Sequence, residues 1–207
     1  MGKRLTQQRR GRGTLMYRSP SFRFKGAVKH SQLDTTGVVV DLVNCPGHTA
    51  PLMEVDFISG EKRLAIAPEG IKVGDEISVC TSTELKIGNV MKLQDVPEGT
   101  LVHNLELKPL DGGKLVRSSG SFAKVVAKTE AGVRIKLPSN REKIFLPHCR
   151  ASIGIIAGAG RLDKPFMKAG NKMKKMKARN RLYPRVCGIS MNAVDHPFGG
   201  CHSTHKG

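Results

Sequence analysis

Apolar and charged positions alternate strictly at residues 133–137, where Val133, Ile135 and Leu137 face one way and Arg134 and Lys136 the other. A period of two marks a half-buried strand. Looser versions of this pattern run from about residue 33 to 156. Strands are predicted at 38–43, a β-branched run, and at 52–58, where Glu54 and Asp56 stand between apolar residues. Others follow at 63–67, 76–80 and 87–93, separated by the turn signals CPGH (45–48), SGEK (59–62) and PEGIKVGD (68–75). A second set is predicted at 100–107, 121–129, 133–137, 143–146 and 151–156, with Ala131-Gly132 as a hairpin turn. The segment DVPEG (95–99) reads as the connection between the sets. The expected fold class is therefore all-β, as two small barrels in tandem, since closure protects edges that an open sheet leaves exposed.

Charge changes this picture at the two ends. The chain of 207 residues has 35 Lys+Arg against 17 Asp+Glu, a net charge of +18. Residues 1–30 carry nine Lys/Arg and no acid, and residues 161–187 carry ten Lys/Arg and only Asp163. These two segments hold the whole net charge, and the remainder is balanced. Blocks of like charge repel themselves and are ordered by a polyanion, whose released counterions supply the free energy. The first arm offers Arg4, Arg9, Arg10, Arg12, Arg18, Arg23 and Lys25 to phosphates. Gly11, Gly13 and Pro20 disfavour helix there, so an extended arm threaded between RNA helices is expected. Its rings Tyr17, Phe22 and Phe24 are placed to stack on unpaired bases. Phe22 and Phe24, at i and i+2, also suit one face of a strand packed on the core. The second arm offers Arg161, Lys164, Lys168, Lys172, Lys174, Lys175, Lys177, Arg179, Arg181 and Arg185. One or two helical turns are expected around 172–177, bracketed by Gly170 and Pro184, with Met173 and Met176 on one side. In the middle of the chain, Lys108, Lys114 and Arg117 flank the Gly112-Gly113 loop as further RNA contacts.

Other functions find little support. No run of 18 apolar residues exists, so no transmembrane helix is expected, and the basic start MGKRLTQQRR has no apolar region behind it to make a secretory signal. GxxxxGK[ST], HExxH and GxSxG are absent, and GAGR at 158–161 lacks the glycine spacing of a dinucleotide loop. The five cysteines form no CxxC pair. Cys45 with His48, His148 with Cys149, and Cys201 with His202 and His205 would make a zinc site only by converging from distant places, so no metal is expected. A reducing compartment, the cytosol, fits this cysteine usage. Asp195-His196-Pro197 is the sharpest polar constellation, but no nucleophile stands beside it. His196 reads as a hydrogen-bonding group in a rigid turn, with Gly199 and Gly200 allowing close approach of the backbone. The chain is not expected to be an enzyme.

The stretch SMNAVDHPFGG (190–200) resembles the signature of the second protein of the large ribosomal subunit, in its archaeal and eukaryotic branch. KPFMKAGNKMKKMKARNRLYPRVCG (164–188), VHNLELKPLDGGKLVRSSG (102–120), CRASIGIIAGAGR (149–161), PGHTAPLMEV (46–55) and MGKRLTQQRRGRGT extend the resemblance collinearly over nearly the whole chain. It implies an OB-type barrel at 33–94 and an SH3-like barrel at 95–160, between basic extensions at 1–32 and 161–207. It implies a structural constituent of the large subunit in the cytoplasm, binding large-subunit ribosomal RNA and supporting subunit assembly and association. Implied partners are that RNA, neighbouring ribosomal proteins and the small subunit across the interface, with no cofactor, small-molecule substrate or membrane. By carry-over, Asn192, Asp195, His196, Gly199 and Gly200 lie near the peptidyl transferase centre in a positioning role. The residues also leave open a free single-stranded RNA-binding or translation-factor module with an OB barrel. This chain departs from the family in three places. Cys45-Pro46-Gly47-His48 replaces an Asp-Pro-Gly-Arg turn, Cys201 replaces a third glycine, and family members extend past the equivalent of Gly207 with a basic tail.

Overall fold

A computed structural model describes residues 2–18 and 23–200. They divide into two compact units, residues 25–164 in one and residues 2–18, 23–24 and 165–200 in the other. The larger unit contains all ten strands found among the described residues: β1 (Thr35–Val43), β2 (Leu52–Phe57), β3 (Lys62–Ile66), β4 (Glu76–Val79), β5 (Val90–Lys92), β6 (Leu101–His103), β7 (Ala123–Thr129), β8 (Gly132–Lys136), β9 (Glu142–Phe145) and β10 (Arg150–Ile153). Each lies within or beside a predicted segment, so the all-β class is what folds. The pairing order is β3-β2-β1-β4-β5-β10-β6-β7-β8-β9, antiparallel except where β4 meets β5 at Val79 and Val90. This hydrogen-bonded ladder runs through all ten strands and does not close on itself among the described residues.

Period two sets which side chains enter the core. In β8, Val133 and Ile135 are buried while Arg134 and Lys136 point to solvent, and Leu137 packs on the same core. Two apolar clusters result. Val39, Met53, Val55, Phe57, Ala67, Ile77, Val79 and Val90 form the first. The second gathers thirteen residues, among them Met91, Leu93, Val102, Val125, Ile135 and Phe145. The seam falls inside β5, whose neighbours Val90 and Met91 point into different cores because successive side chains of a strand point to opposite faces. Val96, within the expected connection 95–99, is fully buried in the second cluster. The β7–β8 hairpin turns at Glu130-Ala131, with Gly132 just after it at φ +135. A Cβ on Gly132 would lie 2.4 Å from the Phe145 carbonyl oxygen of β9, so this pairing requires glycine.

The smaller unit corrects the extended reading of the first arm, because Thr6–Gly11 forms a short helix, α1. Gln7, Gln8, Arg9 and Arg10 are good helix formers, and the Gln8 side chain accepts the Leu5 N–H at 3.0 Å. Gly11 ends this helix rather than preventing it, and Gly13 follows at φ +64. The second helix, α2, spans Ala169–Ala178, so Gly170 lies inside its first turn rather than outside it. None of its residues is buried, and Met173 is exposed. Phe22 and Pro20 lie outside the described residues, and Phe24 is half-buried outside any strand. Among the described residues, no helix is long and apolar enough to cross a membrane.

Candidate nucleic-acid interface

Cations cover the smaller unit. Arg4, Arg9, Arg10, Arg12 and Arg18 are exposed, as is Arg23, and Arg10 lies 5.6 Å above the Tyr17 ring. From α2 and its flanks, Lys168, Lys174, Lys177, Arg181 and Arg185 are exposed. Lys172 sits 5.3 Å over Tyr183 and Lys175 5.1 Å over Phe166, both half-buried, as is Arg179. Rings under cations hold the side chains in place while leaving their charge for a phosphate. Lys175 and Lys177 also lie in the last turn of α2, where the helix dipole favours positive charge.

The segment 188–200 folds tightly within this unit. The Asp195 and His196 amides both donate to the Asn192 carbonyl, at 2.9 and 3.2 Å, and Gly200 N–H reaches Met191 O at 3.2 Å. Phe198 N–H donates to His196 Nδ1 at 3.1 Å, which in the neutral ring leaves Nε2 as the donor. Asp195 turns away from its neighbour and pairs with Lys3 at 3.2 Å, while Lys3 N–H donates to Val194 O at 2.7 Å. The N-terminal residues and the 188–200 segment are therefore fastened to each other, a pairing that no spacing in the sequence announces. Two glycines make the fold possible: a Cβ on Gly188 would sit 2.4 Å from the His196 ring, and one on Gly199 would sit 2.2 Å from Asn192 O. Thr6, Arg10, Arg185, Asp195 and His196 share a cleft of about 270 Å³.

In the larger unit, Lys25, Lys108, Lys114 and Lys164 are exposed, while Arg117 and Arg161 are half-buried and bonded inward. The Arg117 guanidinium donates to Gly113 O at 3.2 Å and Val28 O at 3.1 Å. Arg161 Nε donates to Ser119 Oγ at 2.7 Å. Beneath lies a polar cluster that the sequence does not reveal. Glu106 is 0% and Arg150 2% exposed, joined at 2.9 Å. Glu106 also accepts the amides of Leu110, Gly112 and Arg150, and Arg150 NH1 donates to Ser31 O at 2.6 Å. Burial pushes the Glu106 carboxyl up, but these hydrogen bonds outweigh it and hold the carboxyl below its ordinary value. His30 N–H donates to Gly112 O at 3.1 Å, and its ring meets Asn104 O at 2.8 Å. Burial lowers both His30 and His103 to about 4. The root of the first arm, residues 28–31, is thus clamped to the 104–117 loop. A lone Glu between Leu105 and Leu107 carries no signal of its partner 44 residues away.

Among the described residues, no three His, Cys, Asp or Glu side chains are gathered to hold a metal. Cys45 and Cys149 are fully buried, and Cys45 Sγ accepts the Lys25 N–H at 3.4 Å. Burial raises the Cys149 thiol. Cys201, His202 and His205 lie outside the described residues.

Residues 86–207 match the family described as Ribosomal Proteins L2, C-terminal domain. Over its full length the chain is 49% identical to the large ribosomal subunit protein uL2 of Methanococcus maripaludis, covering 89% of that protein. The chain belongs to the ribosomal protein L2 family. The uL2 proteins of Methanococcus vannielii, 49% identical with 90% covered, and Natronomonas pharaonis, 48% identical with 87% covered, are similar to the same extent. In this L2-family chain the departing Cys45–His48 turn is closed by a His48 N–H to Cys45 O bond at 3.1 Å. Burial lowers the His48 imidazole, with Arg117 adding to the effect.

Proposed function

We propose that the chain is a structural constituent of the cytoplasmic large ribosomal subunit, binding its RNA mainly through residues 1–32 and 161–207. Residues 33–94 and 95–160 then serve as the two β modules that carry these extensions. The observation that supports this most is the pairing of L2-family membership with a compact unit studded by exposed Arg and Lys and anchored by no core helix. Phosphate contacts from those cations supply affinity and register, while the modules recognise RNA shape. Neighbouring ribosomal proteins and the small subunit are the remaining partners. Asn192, Asp195, His196, Gly199 and Gly200 serve the architecture around the peptidyl transferase centre by position, and the chain is not an enzyme. His196 has Phe198 and a glycine around it, and Asp195 is engaged by Lys3.

Deleting residues 161–187 tests this reading. Binding to large-subunit RNA should fall sharply while the β modules stay folded by circular dichroism. Neutralising about ten phosphates gives log K against log salt a slope of about −7 to −9, which the deletion should flatten. Unchanged affinity rejects the proposal. A free single-stranded RNA-binding module is less well supported, because residues 33–94 contain one aromatic, Phe57, and it is buried.

A further inference from the structure

The two β modules differ in charge. Residues 33–94 hold nine acids and five bases, whereas residues 95–160 hold six acids and ten bases. In a chain of net charge +18 the first module is thus an acidic island. Four of its acids, Asp41 of β1, Glu54 and Asp56 of β2 and Glu76 of β4, share one outer face. Strand register puts Lys62, Asp56, Val38 and Glu76 in one row, and Leu64, Glu54 and Asp41 in the next. Directly opposed residues of paired strands share a face. Between these charges Val38 and Val40 stand 41% and 52% exposed. A groove of about 300 Å³ passes between Val40, Glu54, Asp56 and Leu64, with Lys25, Lys62 and Arg63 also lining it. Lys62 is paired with Asp56 at 3.1 Å and Arg63 with Glu61, so among the described residues Asp41, Glu54 and Glu76 have no ion-pair partner.

Small barrels of the OB type take nucleic acid on the face of their second and third strands, with stacking rings and cations. Here the register rows of that face hold four carboxylates and aliphatic side chains against one cation, Lys62, so their net charge disfavours phosphate. A basic polypeptide with interspersed aliphatic residues matches it in both respects, lysine or arginine to the carboxylates and leucine or valine to Val38 and Val40. We infer that the outer face of β1–β3 is a protein-docking surface for a basic, aliphatic-bearing segment of a neighbouring protein. The inference deepens the ribosomal reading above and rests on it for RNA being engaged elsewhere on the chain.

The test uses the full chain, isotope-labelled, titrated with a short synthetic peptide of alternating lysine and leucine and, separately, with a uridine oligomer. Amide signals of β1–β3 should shift with the peptide and not with the oligomer, which should act on the arms. The double variant Glu54→Gln/Asp56→Asn, close to isosteric at two half-buried positions, should bind the peptide roughly tenfold or more weakly while keeping its RNA affinity. Peptide shifts that map elsewhere, peptide affinity unchanged by the variant, or oligomer shifts on β1–β3 overturn the inference. Failure of the unaltered chain to bind RNA through its arms instead overturns the ribosomal reading, so the two failures are distinct. In assembled large subunits, carbodiimide should couple Glu54 to a lysine of another protein. A Glu54 that is fully open to modification there overturns the inference.

Discussion

Arg150 and Glu106 decide more of the local structure than their surroundings suggest. Both are withdrawn from water, and the pair is satisfied only because Ser31, Leu110 and Gly112 contribute backbone partners. Removing one partner strands the other charge in the core. Arg150→Met should therefore cost about 3–5 kcal/mol in urea unfolding, and Arg150→Met/Glu106→Leu should cost clearly less than the single change. The buried imidazoles give a second expectation. His30 and His103, lowered to about 4, are neutral in the folded chain, while the unfolded chain takes up a proton near 6.5. The unfolded state thus binds more protons between those values, and stability should drop as pH falls from about 6.5 to 4. At about 1.4 kcal/mol per pKa unit, each is worth up to roughly 3.5 kcal/mol and the two together up to about 7. A urea midpoint followed across this range should fall, and His103→Gln should flatten the profile. Below it, protonation of Glu106, whose carboxyl is held low, should remove further stability. Gly188 is a third such residue. Gly188→Ala should push out the His196 ring and free the Phe198 amide, visible by NMR, while leaving β7–β8 unchanged.

Elements differ in what holds them. The strands are specified by apolar side chains buried in one of two cores, alternating with solvent most clearly in β8, which is why apolar runs and period-two patterns between turn signals make them legible. The helices have no such support. With ten residues and nothing buried, α2 is below the length at which isolated helices persist in water. Amide exchange should be fast in α2 and slow in β7 and β8 for the free chain, and RNA should slow α2 selectively. Lys174→Gln/Lys177→Gln should lessen the steepness of the salt dependence by about 0.7–0.9 for each phosphate no longer neutralised, with no change in the unfolding of the β modules. The helix α1 is not legible, because glycines at 11 and 13 read as breakers when they in fact mark an end. A glycine's position relative to a helix is set by where the helix starts, and the Gln8–Leu5 hydrogen bond fixes that start.

Over the whole molecule, charge is divided between a cationic unit, an acid-rich stretch at residues 33–94 and a base-rich one at 95–160. The sequence by itself determined the all-β class, the strand positions, the two cationic arms and the family, because alternation, charge count and collinear motifs are properties of residue order. Tertiary structure alone decided that one ladder runs through all ten strands, that Lys3 meets Asp195, that Glu106 meets Arg150, and that Arg117 and Arg161 bond to their own chain. It also decided that scattered acids of β1, β2 and β4 lie on one face. Each of these depends on which distant segments are brought within a few ångströms. That is fixed by burying two cores and by strand register, whose energies are shared among many residues and written at no single position.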